Sequence, residues 1–289
     1  MTFLAIIVAV LLLQAWGNAD RLHLDGWFDN WCQRLSAWGL PSLLGLALLI
    51  LLPTALALLV LDVLEPILFG VFWLLAAIVL LLYAFGRGDL KAKMGQYRSY
   101  AYAGDFEAAY LAFGGDKQAA SETSEITEPS EPLKPSDVHS SIHESFLYDG
   151  LQRWFSVLFY FALLGPAWAL AYRLMQLSRG RFDGDLVERC LFVLDWVPAR
   201  LLAATFAIAG NFVGSKAVLI SALKEGGTEA GPLLVSVGSA ALEPQKLPLD
   251  DDPLAFGPEA ASEDREFEAL LARSAVCWIV VIALIVLLD

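Results

Sequence analysis

Charged side chains interrupt an otherwise apolar stretch in the second half of the chain. Asp195 and Arg200 lie five residues apart in the sequence LDWVPARL, and Tyr172 and Arg173 follow a long apolar run. Charges at the depth of a membrane are costly, and they persist chiefly where they face a bundle interior or a watery cavity. These four residues are therefore our candidate ligand site.

Pro198 adds a second reason to examine this stretch. Proline lacks an N–H and disfavours helix at the residue before it, so Pro198 predicts the start of a fresh half-helix. The free N–H groups and positive dipole end of a half-helix favour an anion. Arg200 would add a forked donor suited to phosphate or carboxylate, with Asp195 orienting it or pairing with Arg173. The alternative is a purely structural ion pair between Asp195 and Arg200.

Other residue patterns in the chain carry less chemistry. His139 and His143 have the i, i+4 spacing that can hold zinc on a helix, but no third ligand lies near them in the sequence. We therefore predict no metal site. No serine or cysteine triad and no phosphate-binding glycine loop is evident, so we predict no catalytic residue and no cofactor.

The elements that must position these residues are membrane helices. Hydrophobic residues make up 57% of the 289 residues, and the mean hydropathy is +0.59. In soluble domains hydrophobic residues make up only about 45–50% of the sequence. Uncharged runs near the roughly 20 residues needed to cross a bilayer are Ser42–Leu61, Pro66–Gly86 and Trp154–Tyr172. Shorter apolar runs are Thr2–Trp16 and Ser274–Leu288. The pattern predicts an all-α, polytopic protein with about five or six membrane segments and the lipid bilayer as its surroundings.

The predicted organisation has five parts. Residues 1–86 hold the N-terminal membrane segments, with a Trp-rich interfacial helix at 17–40. Residues 87–150 form a helical loop, with helix expected over Gly88–Phe113 and an acidic disordered linker at 116–137. Residues 151–223 carry further membrane segments and the candidate site. Residues 224–269 form an acidic loop, and 270–289 the last membrane segment.

Charge distribution bears on topology and partners. The net charge of −13 argues against binding nucleic acid. Leu186–Leu223 could cross the membrane or re-enter it. If it crosses, the long loops share a side with fourteen Lys and Arg against four on the other side. Because cytoplasmic loops gather positive charge, we predict a crossing, with residues 87–150 in the cytoplasm.

Two motifs carry a family resemblance. The stretch from Gly165-Pro166 to Tyr172-Arg173, with Asp195-x-x-Pro198-Ala-Arg200, resembles the AmpE family of integral inner-membrane proteins and, more distantly, the CobD/CbiB family of cobalamin biosynthesis. Two CobD/CbiB motifs, of Thr-Leu-Asp-Ser and Ser-Pro-Asn-x-Gly type, are missing here. AmpE is therefore the closer resemblance.

The AmpE resemblance implies a multi-pass inner-membrane regulator connected with β-lactamase induction and cell-wall recycling. Its ligand would be an anionic small molecule from the envelope, and its partner a protein of cell-wall recycling. The resemblance supplies no catalytic residues. Two alternatives stay open: a membrane enzyme derived from a CobD/CbiB-like scaffold, and a transporter.

Overall fold

A computed structural model describes residues 2–16, 25–86, 88–113, 134–242 and 252–288, and these are helical with no strand among them. The first half contains α1 (Thr2–Trp16), α2 (Gly26–Ser36), α3 (Ser42–Leu64), α4 (Val71–Ala84), α5 (Leu90–Ala103) and α6 (Phe106–Phe113). The second half contains α7 (Pro135–Gly150), a π-helix (Leu151–Phe155), α8 (Ser156–Leu164), α9 (Pro166–Leu177), α10 (Gly184–Ala209), α11 (Phe212–Lys224), α12 (Ala230–Ala241) and α13 (Pro253–Leu288).

Three described helices are long and apolar enough to cross a membrane: Ser42–Leu64, Gly184–Ala209 and Pro253–Ile285. Their surfaces carry large apolar side chains in the open, such as Leu43 (65% exposed) on α3 and Val193 (69%) on α10. Water would penalise such contiguous apolar surface, whereas lipid tails accept it. The protein is therefore an all-α membrane protein, as the sequence predicts.

The chain divides into two compact units. The first comprises residues 1–88, 152–198 and 280–289. Within it α9 packs on α3, α4 and α8, and α1 packs on α4. The apolar core of this unit includes Leu49, Leu81, Phe161 and Leu174, each fully buried.

The prediction that Trp154–Tyr172 is one continuous membrane helix is wrong. The chain breaks between α8 and α9, where Gly165 adopts a φ of 94° and Pro166 opens the next helix. Glycine tolerates that backbone conformation, and proline at the first helical position needs no N–H partner. Since α8 and α9 pack against each other, this segment forms two short, packed helices instead of one continuous helix.

The second unit comprises residues 89–151 and 199–279. Here α12 packs on both α7 and α11, and α7 packs on α5 and α6. The predicted helix Gly88–Phe113 is two helices, because Gly104 takes a φ of 69° and ends α5. Another chain break at Gly210 separates α10 from α11, so Leu186–Leu223 is also two helices.

The prediction that 224–269 is an acidic loop is wrong for the described residues. Helix α12 buries one apolar face, and α13 begins at Pro253. Composition misled because the acids of α13 have partners: Glu263 and Asp264 contact histidines, and Glu268 contacts Arg98. Most of the predicted linker at 116–137 lies outside the described residues, but its end already belongs to α7.

The predicted interfacial helix at 17–40 corresponds in its described part to α2. This helix is amphipathic, with Phe28 buried and Trp27 43% exposed. Residues 17–24 lie outside the described part of the chain.

Candidate functional site

Asp195 is the centre of a buried polar cluster in the first unit. Asp195 lies on α10 and is only 1% exposed. One carboxylate oxygen accepts from the Tyr172 hydroxyl (2.5 Å) and from Ser156 Oγ (3.2 Å), and the other accepts from Gln152 Nε2 (2.7 Å). Hydrogen bonds to a buried carboxylate offset the cost of removing its charge from water.

Gln152 connects this carboxylate to two arginines. It lies in the π-helix between α7 and α8, a rare geometry that often marks functional sites. Its side-chain oxygen accepts from Arg179 NH1 (2.8 Å), and its backbone carbonyl accepts from Gln176 Nε2 (2.9 Å). Gln176 in turn accepts from Arg173 NH1 (3.0 Å). We call Asp195, Tyr172, Gln152, Ser156, Gln176, Arg173 and Arg179 the Asp195 network.

Arg173 and Arg179 differ in exposure. Arg173 is only 8% exposed, whereas the side chain of Arg179 is 33% exposed and pairs with Glu188 (2.8 Å). The network therefore runs from a buried carboxylate to a partly exposed guanidinium. Guanidinium groups bind carboxylate and phosphate through two parallel N–H donors.

Pro198 does not begin a new half-helix, so this prediction is wrong. Helix α10 is continuous through it, although proline leaves the Leu194 carbonyl without its usual donor. The Tyr160 hydroxyl donates to that carbonyl (2.8 Å), and the Tyr160 ring stacks on Tyr172, with centroids 5.2 Å apart. A side-chain donor thus replaces the missing N–H, which is how membrane helices tolerate proline.

Arg200 lies in the second unit, whereas Asp195, Tyr172 and Arg173 come together in the first. Arg200 NH2 donates to the backbone carbonyls of Glu225 (3.2 Å) and Gly226 (3.4 Å), just after α11 ends. A cation there hydrogen-bonds to carbonyls at the end of the helix and complements the negative end of the helix dipole. This is opposite in sign to the positive helix terminus that the sequence predicts beside Arg200.

A second polar cluster lies inside the second unit, where α5, α7 and α13 meet. His139 and His143, one helical turn apart on α7, are both buried. His139 Nε2 bonds to Glu263 Oε2 (3.2 Å), and His143 Nε2 bonds to Asp264 Oδ1 (3.1 Å). We call His139, His143, Glu263, Asp264, Tyr97 and Arg98 the histidine cluster.

Two further residues complete the histidine cluster. The Tyr97 hydroxyl bonds to Nδ1 of His139, and Arg98 NH1 donates to Asp264 Oδ2 (2.8 Å). Burial lowers the pKa of His143 well below its usual value, and the neighbouring His139 lowers it further. Burial also raises the pKa of Tyr97, and the nearby carboxylates of Asp264 and Glu263 raise it further. Both side chains are therefore neutral at physiological pH.

Sequence reasoning missed several of these residues. Gln152, Ser156, Gln176 and Arg179 lie outside the two motifs, and no periodicity marks the π-helix that places Gln152. Glu263 is separated from His139 by 124 positions, so only the tertiary fold brings the two together. The spacing of His139 and His143 was the one available signal for the histidine cluster.

The fold and these buried polar clusters define a helical membrane protein with charged groups held inside its helix bundles. A family model described as "Regulatory signalling modulator protein AmpE" matches residues 1–229, and the chain belongs to this family. It is accordingly a regulatory membrane protein. No curated protein and no solved structure matches the chain, and the resemblance to CobD/CbiB is not shown by these comparisons.

Proposed function

We propose that this protein is a multi-pass inner-membrane regulator that modulates β-lactamase induction in response to an anionic, envelope-derived ligand. Membership of the AmpE family supports the regulatory role. The observation that carries the ligand is the Asp195 network, in which hydrogen bonds through Gln152 and Gln176 connect two arginines to a buried carboxylate. In this proposal a protein partner of cell-wall recycling receives the signal.

The arginines of the network are the groups that would bind the anion. Arg179 is reached from solvent, and its NH1 contacts Gln152. Arg173 lies deeper, bonded to Gln176, which itself contacts the Gln152 backbone. A phosphate or carboxylate bound by the two guanidinium groups would compete with both amide oxygens for the arginine N–H donors.

Displacing those amides would affect Asp195, because Gln152 donates to its carboxylate. Asp195 also holds Tyr172, so binding at the partly exposed end changes contacts at the buried end. A ligand shifts a conformational equilibrium only if it binds the two states with different affinity. Competition with the Gln152 side-chain oxygen for the Arg179 donor supplies such a difference.

The test measures induction of β-lactamase by a β-lactam in cells that lack their own gene for this protein and express the wild type or a variant instead. We expect Arg173→Lys and Arg179→Lys to lose regulation nearly as fully as the alanine variants, because lysine keeps the charge but not the fork. Arg189→Lys is the matched control, since Arg189 is exposed on α10 and outside the network. Immunoblots of the membrane fraction check that every variant inserts.

Two results would contradict the ligand-binding part of this proposal. One is wild-type induction by a stably inserted Arg173→Ala, Arg179→Ala double variant. The other is full function of both lysine variants while the alanine variants fail, which indicates structural charges alone. Unchanged induction in cells lacking the protein would contradict the regulatory role itself.

A further inference from the structure

The histidine cluster brings together three metal-binding side chains from distant parts of the chain. His139 and His143 come from α7 and Glu263 from α13, and one ligand atom of each lies within 4.8 Å of the other two. All three residues belong to the second unit, whereas the residues of the Asp195 network belong to the first. Two imidazoles and a carboxylate form a donor set that zinc uses in proteins.

The distances between the donor atoms suit a tetrahedral ion. Ligands about 2.0–2.1 Å from a tetrahedral Zn²⁺ lie about 3.3 Å from one another. His139 Nε2 and Glu263 Oε2 are already 3.2 Å apart. The third donor, on His143, lies within 4.8 Å of these two atoms, so it must move by at most about 1.5 Å to complete the set.

Supporting hydrogen bonds hold both imidazoles. Nδ1 of His139 bonds to the Tyr97 hydroxyl, and Nε2 of His143 bonds to Asp264. Each ring therefore has one nitrogen held by a supporting residue, which leaves Nε2 of His139, beside Glu263, and Nδ1 of His143 as the coordinating atoms. Metal-binding histidines in proteins almost always use their second nitrogen in this way, and a carboxylate partner increases their basicity.

Asp264 is itself fixed. It is fully buried and accepts from Arg98 NH1 at 2.8 Å, and the same guanidinium nitrogen contacts Glu268 at 2.8 Å. This arrangement of arginine, carboxylate and histidine limits the orientations open to the His143 ring. A preorganised ring loses less entropy when it binds an ion.

A cavity of about 190 Å³ adjoins the cluster, lined by Ser136, His139, Ser140, His143, Val235, Ser239, Phe256 and Glu263. All three donors lie on its wall, so a bound ion would face open space. Zinc sites with three protein ligands keep a fourth position for water or an exchangeable ligand. The serine hydroxyls on the wall could hydrogen-bond to that water.

We propose that His139, His143 and Glu263 bind a divalent transition metal of the zinc class, with the fourth position open to the serine-lined cavity. The bland alternative is a metal-free hydrogen-bond network that only joins α7 to α13. The two differ in one measurable property, because only the metal site loses affinity for the ion when a ligand is replaced by an isosteric amide.

The experiment uses the full chain, purified in detergent and treated with a chelator. Titration with Co²⁺ should produce visible absorption bands of tetrahedral coordination at one equivalent, and added Zn²⁺ should displace them. Glu263→Gln should weaken Co²⁺ and Zn²⁺ binding by at least 100-fold. Glu259→Gln removes an exposed carboxylate one turn earlier on α13 and should bind both ions as the wild type does.

A second variant separates metal binding from folding. Asp264→Asn leaves the three donors in place but weakens the support of His143, together with the Arg98 ion pair, and should weaken Zn²⁺ binding about 10–100-fold. Zn²⁺ should raise the Tm of the wild type and of Glu259→Gln, but not that of Glu263→Gln. The Tm values of the metal-free proteins show whether each variant still folds.

Three outcomes would overturn the proposal. They are no cobalt spectrum in the wild type, equal affinity in Glu263→Gln and wild type, or zinc that raises the Tm of both to the same extent. The last would indicate adventitious surface binding only. Glu263→Ala, with the same readouts, takes the place of Glu263→Gln if that variant does not fold.

Discussion

The Tyr160 hydroxyl should matter to stability only because of Pro198. Pro198 cannot donate to the Leu194 carbonyl four residues earlier, and Tyr160 supplies that hydrogen bond at 2.8 Å. Tyr160→Phe removes the donor and leaves a carbonyl inside the bundle without it. Pro198→Ala restores a backbone N–H at the position where an uninterrupted helix bonds this same carbonyl.

The magnitude follows from the cost of a lost buried hydrogen bond. Leaving a buried acceptor unsatisfied costs about 1–3 kcal/mol in proteins, and hydrogen bonds within membrane bundles average about 0.6 with a maximum near 1.7. We expect Tyr160→Phe to lower the free energy of unfolding by about 1–1.5 kcal/mol in the wild type. In the Pro198→Ala background the same change should cost no more than about 0.3–0.5 kcal/mol, the usual limit of additivity.

The assay is a double-mutant cycle measured by equilibrium unfolding in mixed micelles. Tyr83→Phe is the matched control, since its hydroxyl donates to Asp25 Oδ1 at 3.0 Å in the same unit. Tyr83→Phe should lower the free energy of unfolding by the same amount in the wild type and in the Pro198→Ala background. If Tyr160→Phe costs the same in both backgrounds, the hydroxyl does not substitute for the proline N–H, and our account of the continuous helix α10 is refuted.

Three further predictions concern packing, helix capping and topology. Gly210→Ala should lower stability by about 1–3 kcal/mol, because the new Cβ would lie 2.4 Å from the Ala241 carbonyl oxygen. Gly227→Ala, with open space around it, should be nearly neutral by the same unfolding measurement. In the same measurement, Arg200→Lys should have a higher free energy of unfolding than Arg200→Ala, because an ammonium still reaches the carbonyls at the end of α11. If both variants instead lose induction equally, the result indicates a bound anion. In a cysteine-free background, Gln96→Cys should resist an impermeant thiol reagent in intact cells, and rapid labelling would reverse the predicted orientation.

Much of the architecture was readable because it depends on local hydrophobicity. The run beginning at Ser42 appears as α3, and the apolar C-terminus forms the end of α13. The break at Gly165 was not expected, although the Gly-Pro pair is visible in the sequence. Counting uncharged residues measures the length of an apolar run but not the continuity of its backbone. Here the backbone conformation at Gly165-Pro166 divides the run into two helices.

Composition failed in the acidic region for a different reason. Leu233, Leu234 and Val237 form a buried stripe on α12, but proline, glycine and carboxylates surround it in the sequence. The carboxylates seemed to exclude a packed structure. Glu263 and Asp264 are tolerated because histidines and an arginine from other helices meet them, which is information that a linear sequence does not contain.

The same limit explains why the sequence predicted that Asp195 has polar partners but did not predict which residues they are. A charge within an apolar run is costly, so Asp195 had to be satisfied, and that inference needed only its neighbours in sequence. Which groups satisfy it depends on α8 and α9, because Ser156 and Tyr172 reach it from there. Pro198 shows the converse: a local rule predicted a broken helix, and a tyrosine 38 residues earlier removed the reason for the break. Inside a membrane bundle, therefore, a polar residue indicates that a partner exists, and only the packing of the helices identifies the partner as scaffold or site.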